Sequence, residues 1–116
     1  MALKIALKKM TAIGRTTEMK NIYFTITGTK YRYGHDFMKP GMKVKLVKEP
    51  DNPYDREAIR VEMKNGLGLV GYVANSIHTV KGECISAGRM YDRIGKKAKG
   101  TIKMVLQDGV ICKLDK

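Results

Sequence analysis

The chain has 116 residues, 43% hydrophobic and 29% charged, which supports one modest core, leaves no room for a second, and is too apolar for a disordered segment. Lysine and arginine number 23 against 11 acidic residues, a formal charge of +12, so a polyanionic partner is expected. No run approaches the roughly 18 apolar residues of a membrane-spanning helix, and the start is broken by Lys4, Lys8 and Lys9, unlike a secretion signal.

A cytoplasmic location with no membrane partner is therefore expected. Cys84 and Cys112, far apart in the sequence, read as reduced, buried small hydrophobes. In chain order, Leu3, Ile5 and Leu7 alternate with Lys4 and Lys8 and predict an edge strand whose lysines discourage aggregation. A connector follows, so residues 1–21 are set apart from a main domain over 22–116.

Ile22, Phe24 and Ile26 then alternate with Tyr23, Thr25 and Thr27, predicting a strand with one buried face. Met42, Val44 and Leu46 against Lys43 and Lys45 predict the next strand. Ile59, Val61 and Met63 against Arg60 and Glu62 predict a third. Asn65-Gly66 signals a tight hairpin joining 58–63 to 68–73, and Asp108-Gly109 repeats the device between 101–106 and 110–114. Between them, residues 75–82 predict a helical turn or two closed by Gly82. Ser86 predicts a cap for a helix carrying Ala87, Met90, Tyr91 and Ile94 on one face, ended by Gly95. The expected fold is mainly β: a small OB-like open β-barrel of about six or seven short strands with one or two short helices.

Charge is uneven along the chain. Residues 51–80 hold three basic and four acidic side chains inside a basic protein, and this stretch begins within the unusual run Glu49-Pro50-Asp51-Asn52-Pro53-Tyr54-Asp55. Asn, Asp and Pro explain such a run as a turn, while the carboxylates suggest a task beyond neutralising phosphate. Two Cys and two His at 84, 112, 35 and 78 lack the paired spacing of a zinc site, and no phosphate-binding loop or nucleophile elbow is present. No cofactor and no metal are expected. His35 reads as an exposed loop residue and His78 as a hydrogen-bonded packing residue. Lys30-Tyr31-Arg32-Tyr33-Gly34 supports two readings: a strand end with two amphipathic tyrosines, or rings that stack bases beside cations that neutralise phosphates.

Ile26-Thr27-Gly28-Thr29-Lys30-Tyr31, the strand from Met42 to Val47, the 49–55 run, Ala58-Ile59-Arg60-Val61 and Val70-Gly71-Tyr72-Val73 together resemble the HIRAN domain. The match covers residues 22–75 in unbroken order, and Asn-Pro-Tyr-Asp followed by Ala-Ile is its most specific part. Ser86 to Asp92 resembles the helix of stand-alone bacterial members. The resemblance implies an OB-like barrel. In a member attached to a fork-remodelling helicase-like transcription factor, it also implies capture of the 3′ end of single-stranded DNA. On that basis Tyr31 stacks on a terminal base with Lys30 beside it, and Asn52, Tyr54 and Asp55 line the pocket. Asp55 then reads the terminal hydroxyl, and Tyr72 stands where that member has a histidine. Lys30 replaces an arginine and Asn75 a phosphate-binding lysine, and the second stacking aromatic has no counterpart.

The expected site is thus Lys30, Tyr31, Arg32, Tyr33, Asn52, Tyr54, Asp55, Tyr72 and Asn75, in a non-enzymatic module for single-stranded DNA in repair or replication-fork processing. Two other readings remain open: an adaptor for a helicase or nuclease partner, and a metal-dependent hydrolase using Asp51, Asp55 and Glu57.

Overall fold

The structure, a computed structural model, describes residues 21–64 and 66–116. The expected N-terminal strand at Leu3–Leu7 and the residue Asn65 lie outside the described residues. The alternating runs form six antiparallel strands: β1 (Tyr23–Thr27), β2 (Lys43–Lys48), β3 (Ile59–Met63), β4 (Gly68–Val73), β5 (Lys97–Leu106) and β6 (Gly109–Leu114). They follow one another around a closed barrel in the order β1-β4-β3-β2-β5-β6, with β6 returning to pair with β1. The barrel expected to be open is therefore closed, and no described strand is left as a free edge to be protected.

The inward rows fill the barrel. Phe24, Ile26, Leu46, Ile59, Val61, Val70, Ile102, Val110 and Cys112 are fully buried, and Ala87 and Met90 of the helix α1 (Ala87–Tyr91) join them. Each such aliphatic or aromatic side chain contributes about 1.5–3 kcal/mol by leaving water. Two glycines are required by close approach. A Cβ on Gly71 would lie 2.7 Å from the Thr27 carbonyl oxygen, and one on Gly100 would lie 2.8 Å from the Phe24 ring. Cys84 and Cys112 are free and buried, and burial pushes both thiols up, which keeps them protonated and unreactive. Among the described residues no helix is long and apolar enough to cross a membrane.

Several local expectations are corrected. β1 is buried on both faces, because residues 80–86 pack outside it: Ile85 N–H donates to the Tyr23 carbonyl and Lys81 N–H to Thr25 Oγ1. β5 begins at Lys97, earlier than expected, and its register with β6 shifts between Ile102 and Met104. Gln107 and Asp108 make the second hairpin turn, with Gly109 already in β6. α1 ends at Tyr91 rather than near Ile94, since Arg93 N–H closes back on the Met90 carbonyl at 2.9 Å. Ser86 caps it as expected, its Oγ accepting from Arg89 N–H at 3.3 Å. Residues 76–80 form one hydrogen-bonded turn, and His78 on it is exposed rather than packed.

Candidate nucleic-acid interface

After β1 the chain does not continue as a strand, so Tyr31 and Tyr33 do not share a strand face. Gly28, at φ +80°, starts a 3-10 turn over Thr29–Tyr31, and Gly34, at φ +71°, reverses the chain again. His35 pins the result: its Nδ1 lies 2.6 Å from Thr29 Oγ1, and its Nε2 lies 3.1 Å from the Gln107 carbonyl oxygen on the β5–β6 hairpin. A bond to a carbonyl requires Nε2 to carry the proton, and in the neutral ring Nδ1 then accepts from the threonine. Tyr31 stands out from this turn with 77% of its surface exposed, and Lys30 Nζ lies 5.2 Å from its ring centre. Arg32 and Tyr33 are exposed beside it. The turn, residues 78–81 and the β5–β6 hairpin enclose a groove of about 560 Å³ lined by Tyr31, His35, His78, Lys81 and Asp108 among others. Lys81 Nζ bonds Asp108 at 2.6 Å, which holds the Asp108 carboxyl below the usual carboxylate range.

The 49–58 segment is two tandem turns. Asn52 N–H closes on the Glu49 carbonyl, and Ala58 N–H closes on the Asp55 carbonyl. Asn52 Oδ1 accepts from the backbone of Tyr54 and Asp55 at 2.8 and 3.1 Å, and its amide donates to Glu49 Oε1 at 2.9 Å. Glu49 also accepts from Tyr72 Oη at 3.0 Å and from Arg60 Nη1 at 3.4 Å. Arg60 Nε stands 2.8 Å from Glu62 in an ion pair. Tyr72 and Arg60 face each other across β4 and β3, with Thr27 beyond Tyr72 on β1, so this cluster sits on one outer row of the barrel. Burial raises the Tyr72 phenol pKa, the Glu49 hydrogen bond raises it further, and the charges of Arg60 and Arg32 pull the other way.

Asp55 anchors the second turn. One carboxylate oxygen accepts from Glu57 N–H at 2.9 Å and the other from the Asn75 amide at 2.9 Å, while Asn75 Oδ1 accepts from Gly88 N–H at 2.7 Å. Asn75 is therefore a buttress between the loop and α1, and it supplies no cation. Each Asp55 oxygen keeps a further lone pair for a hydroxyl donor. Tyr54 is 95% exposed at the tip of the loop.

The structure thus brings Asn52 and Tyr72 together through Glu49, and joins Asp55 to Asn75 directly. Lys30 and Tyr31 line the separate groove, and Arg32 is near enough to Tyr72 for its charge to be felt there. Sequence reasoning placed Glu49 in the 49–55 run without giving it a role, and did not single out Arg60 or the bridging role of His35. The pattern Glu49-x-x-Asn52 at the start of a turn was a local signal for the first, but nothing near His35 pointed to Gln107. Asp51, Asp55 and Glu57 do not converge, and among the described residues no three His, Cys, Asp or Glu side chains are placed to share a metal ion.

Comparison with known proteins places the fold. The crystal structure of the HIRAN domain of human HLTF superimposes with a TM-score of 0.55 at 20% identity, covering 81% of this chain and 74% of that one. A crystal structure of a protein from Lactobacillus plantarum gives a TM-score of 0.51 at 23% identity, covering 82% of this chain and 93% of that one. At these identities the likeness is one of fold. No curated protein matches the sequence. The family model of the HIRAN domain matches residues 19–103, most of the chain, including the loop cluster around Glu49 and Asp55, and the chain belongs to the HIRAN domain family.

Proposed function

We propose that the chain is a non-enzymatic nucleic-acid-binding module that holds single-stranded DNA by its 3′ end in repair or replication-fork intermediates. One observation carries the reading. Among the described residues the large exposed hydrophobic side chains are Tyr31, Tyr33, Tyr54 and Ile77, and the three tyrosines stand beside Lys30, Arg32 and Arg56. Left in water, bare rings next to cations gain only a weak cation–π contact, whereas bases stack on the rings and phosphates meet the cations. Tyr31 is the first platform and Tyr54 offers a second, with Lys30 and Arg32 contacting the backbone. The family resemblance adds the end preference. Asp55, fixed by Asn75 and Glu57 N–H, is an acceptor that repels an internal phosphate and accepts from a terminal hydroxyl. Strand opening or cleavage would come from a partner helicase or nuclease.

The test is a titration of labelled single strands ending in 3′-OH, ending in 3′-phosphate, or circularised. The 3′-OH strand should bind tightest, and log K should fall with log salt at about −0.7 per phosphate neutralised. Equal affinity for all three removes the end preference. No binding even at low salt moves the chain to the adaptor reading.

A further inference from the structure

The three neighbouring strands β2, β5 and β6 carry seven lysines and no acidic residue, while β1 and β4 carry no charged residue at all. Lys48 turns away and lies 4.3 Å from the Tyr91 ring centre. The other six, Lys43, Lys45, Lys97, Lys99, Lys103 and Lys113, alternate with buried positions or stand at the β5 bulge, which puts them on the outside of the barrel. Strand pairing sets Lys45 directly opposite Lys99, and Lys43 and Lys113 on either side of Thr101. Like charges directly opposite in a sheet are destabilising. Asp115 reaches Lys43 at 3.0 Å, and Glu62, across from Lys45, is held by Arg60. Lys45, Lys97, Lys99, Lys103 and Lys113 take part in none of the ion pairs among the described residues.

We propose that this wall of β2, β5 and β6 is a second contact surface, one that binds the phosphate backbone of double-stranded nucleic acid without reading sequence. The chemistry of the surface selects this occupant. The outward row holds point-charge donors and no aromatic ring, so it offers a single strand nothing to stack on, and it has no planar guanidinium for bidentate base contacts. A duplex shows only its phosphates to such a surface. The wall is also continuous with the loop cluster. The register runs Thr27, Tyr72, Arg60, Val47, Lys97 along one outer row, so Lys97 lies three strand spacings from Tyr72, about 14 Å. A single-stranded end held at the 49–58 loop would lead its duplex portion across the lysines. The inference rests on the nucleic-acid reading for its class of ligand and is independent of the 3′-end preference.

The test uses a dumbbell duplex with closed ends, which offers no terminus, in DNA and RNA forms. Wild type is compared with the triple variant Lys45→Gln/Lys97→Gln/Lys99→Gln and with a charge-matched control, Lys39→Gln/Lys64→Gln/Arg93→Gln. The wall variant should bind the dumbbell about tenfold more weakly or worse, and its salt slope should shrink by about 2.7, or 0.9 for each lost phosphate contact. The control should shift far less, and the wall variant should keep the wild-type ratio of 3′-OH to 3′-phosphate affinity on single strands. Equal losses in both triple variants would overturn the proposal, leaving net charge alone as the cause. Binding of anionic phospholipid vesicles without dumbbell binding would overturn it in favour of a membrane. Wild type that binds the dumbbell through the wall but shows no end preference would retain this proposal and remove the end-capture reading.

Discussion

In the 49–58 loop, Glu49 accepts from Asn52, Tyr72 and Arg60, and Asp55 accepts from Glu57 and Asn75, whereas on the β2–β5–β6 wall five lysines take part in no ion pair among the described residues. The two regions handle charge in opposite ways. At the loop, Glu49 and Asp55 are each held by a local donor and at least one from a distant part of the chain, so their remaining lone pairs point in fixed directions. Fixed acceptors discriminate between ligands that differ by one hydroxyl. On the wall, flexible ammonium groups are free to follow any array of phosphates, which supplies affinity with little discrimination. On the proposed reading, selectivity and affinity fall on different parts of one small barrel, and each can be altered without the other.

Glu49→Ala should have the largest effect. It removes the acceptor shared by Asn52, Tyr72 and Arg60, and hydrogen bonds to a charged group contribute about 1.5–3 kcal/mol each. These groups are partly exposed, so we expect about 2–3 kcal/mol of stability to be lost in a urea melt, with the end preference lost as well. A melt within about 0.5 kcal/mol of wild type would show that Glu49 is a bystander and that the loop is held by its backbone turns alone.

Asp55→Ala comes next and separates two roles of one side chain. Losing the acceptor for a terminal hydroxyl should cost the 3′-OH strand about 1.5–3 kcal/mol and leave the 3′-phosphate strand nearly unchanged. Losing the bond to Glu57 N–H should cost about 0.5–2 kcal/mol of stability, as for a helix cap. A lowered melting temperature with an unchanged affinity ratio would assign Asp55 to the fold and end its place in the site.

Tyr31→Ala should weaken binding by about 1–3 kcal/mol, the contribution of one base stacked on an aromatic ring. Stability should stay put, because the ring is 77% exposed and little apolar surface is lost. Unfolding of the variant, seen by circular dichroism, would mean that the ring supports the turn pinned by His35 instead of serving a ligand.

These sites also show how much could be read from the sequence. Period-2 alternation located the strands because a barrel wall has one dry face, and it failed at β1 because residues 80–86 dry the other face too. The same alternation at Lys30–Tyr33 was misleading. Gly28 and Gly34 at positive φ and the bond from His35 to Gln107, 72 positions away, make that stretch a turn. The 49–55 run was legible as a turn from its Asn, Asp and Pro. Its partners Arg60 and Tyr72 lie on β3 and β4, which the consecutive pairing of β2, β3 and β4 sets beside it, and Asn75 lies just past β4, so these contacts follow from strand pairing and not from local spacing. The lysine wall is the intermediate case. Each Lys-x-Lys pair is visible in the sequence, but that β2 lies beside β5, and Lys45 opposite Lys99, is a fact of topology.

The smallest expected effect bears on the wall. If Lys45 and Lys99 are kept for a ligand, they must cost the free protein something, and Lys99→Thr should make it more stable. Directly opposed residues have Cβ atoms about 4.5–5.5 Å apart, and relieving a like-charge pair there is worth about 0.2–1 kcal/mol, with threonine suiting a strand better than lysine. The electrostatic part should show in thermal melts at low salt. It should fade at 1 M salt, where the screening length is about 3 Å and shorter than the separation of the charges. The residual gain at high salt measures strand preference alone, so the difference between the two salts isolates the repulsion. A variant that melts lower at both salts would show that the Lys99 stem covers apolar surface and stabilises the sheet. The unpaired lysines would then have a structural reason to be there, and the argument that the wall awaits a duplex would lose its main support.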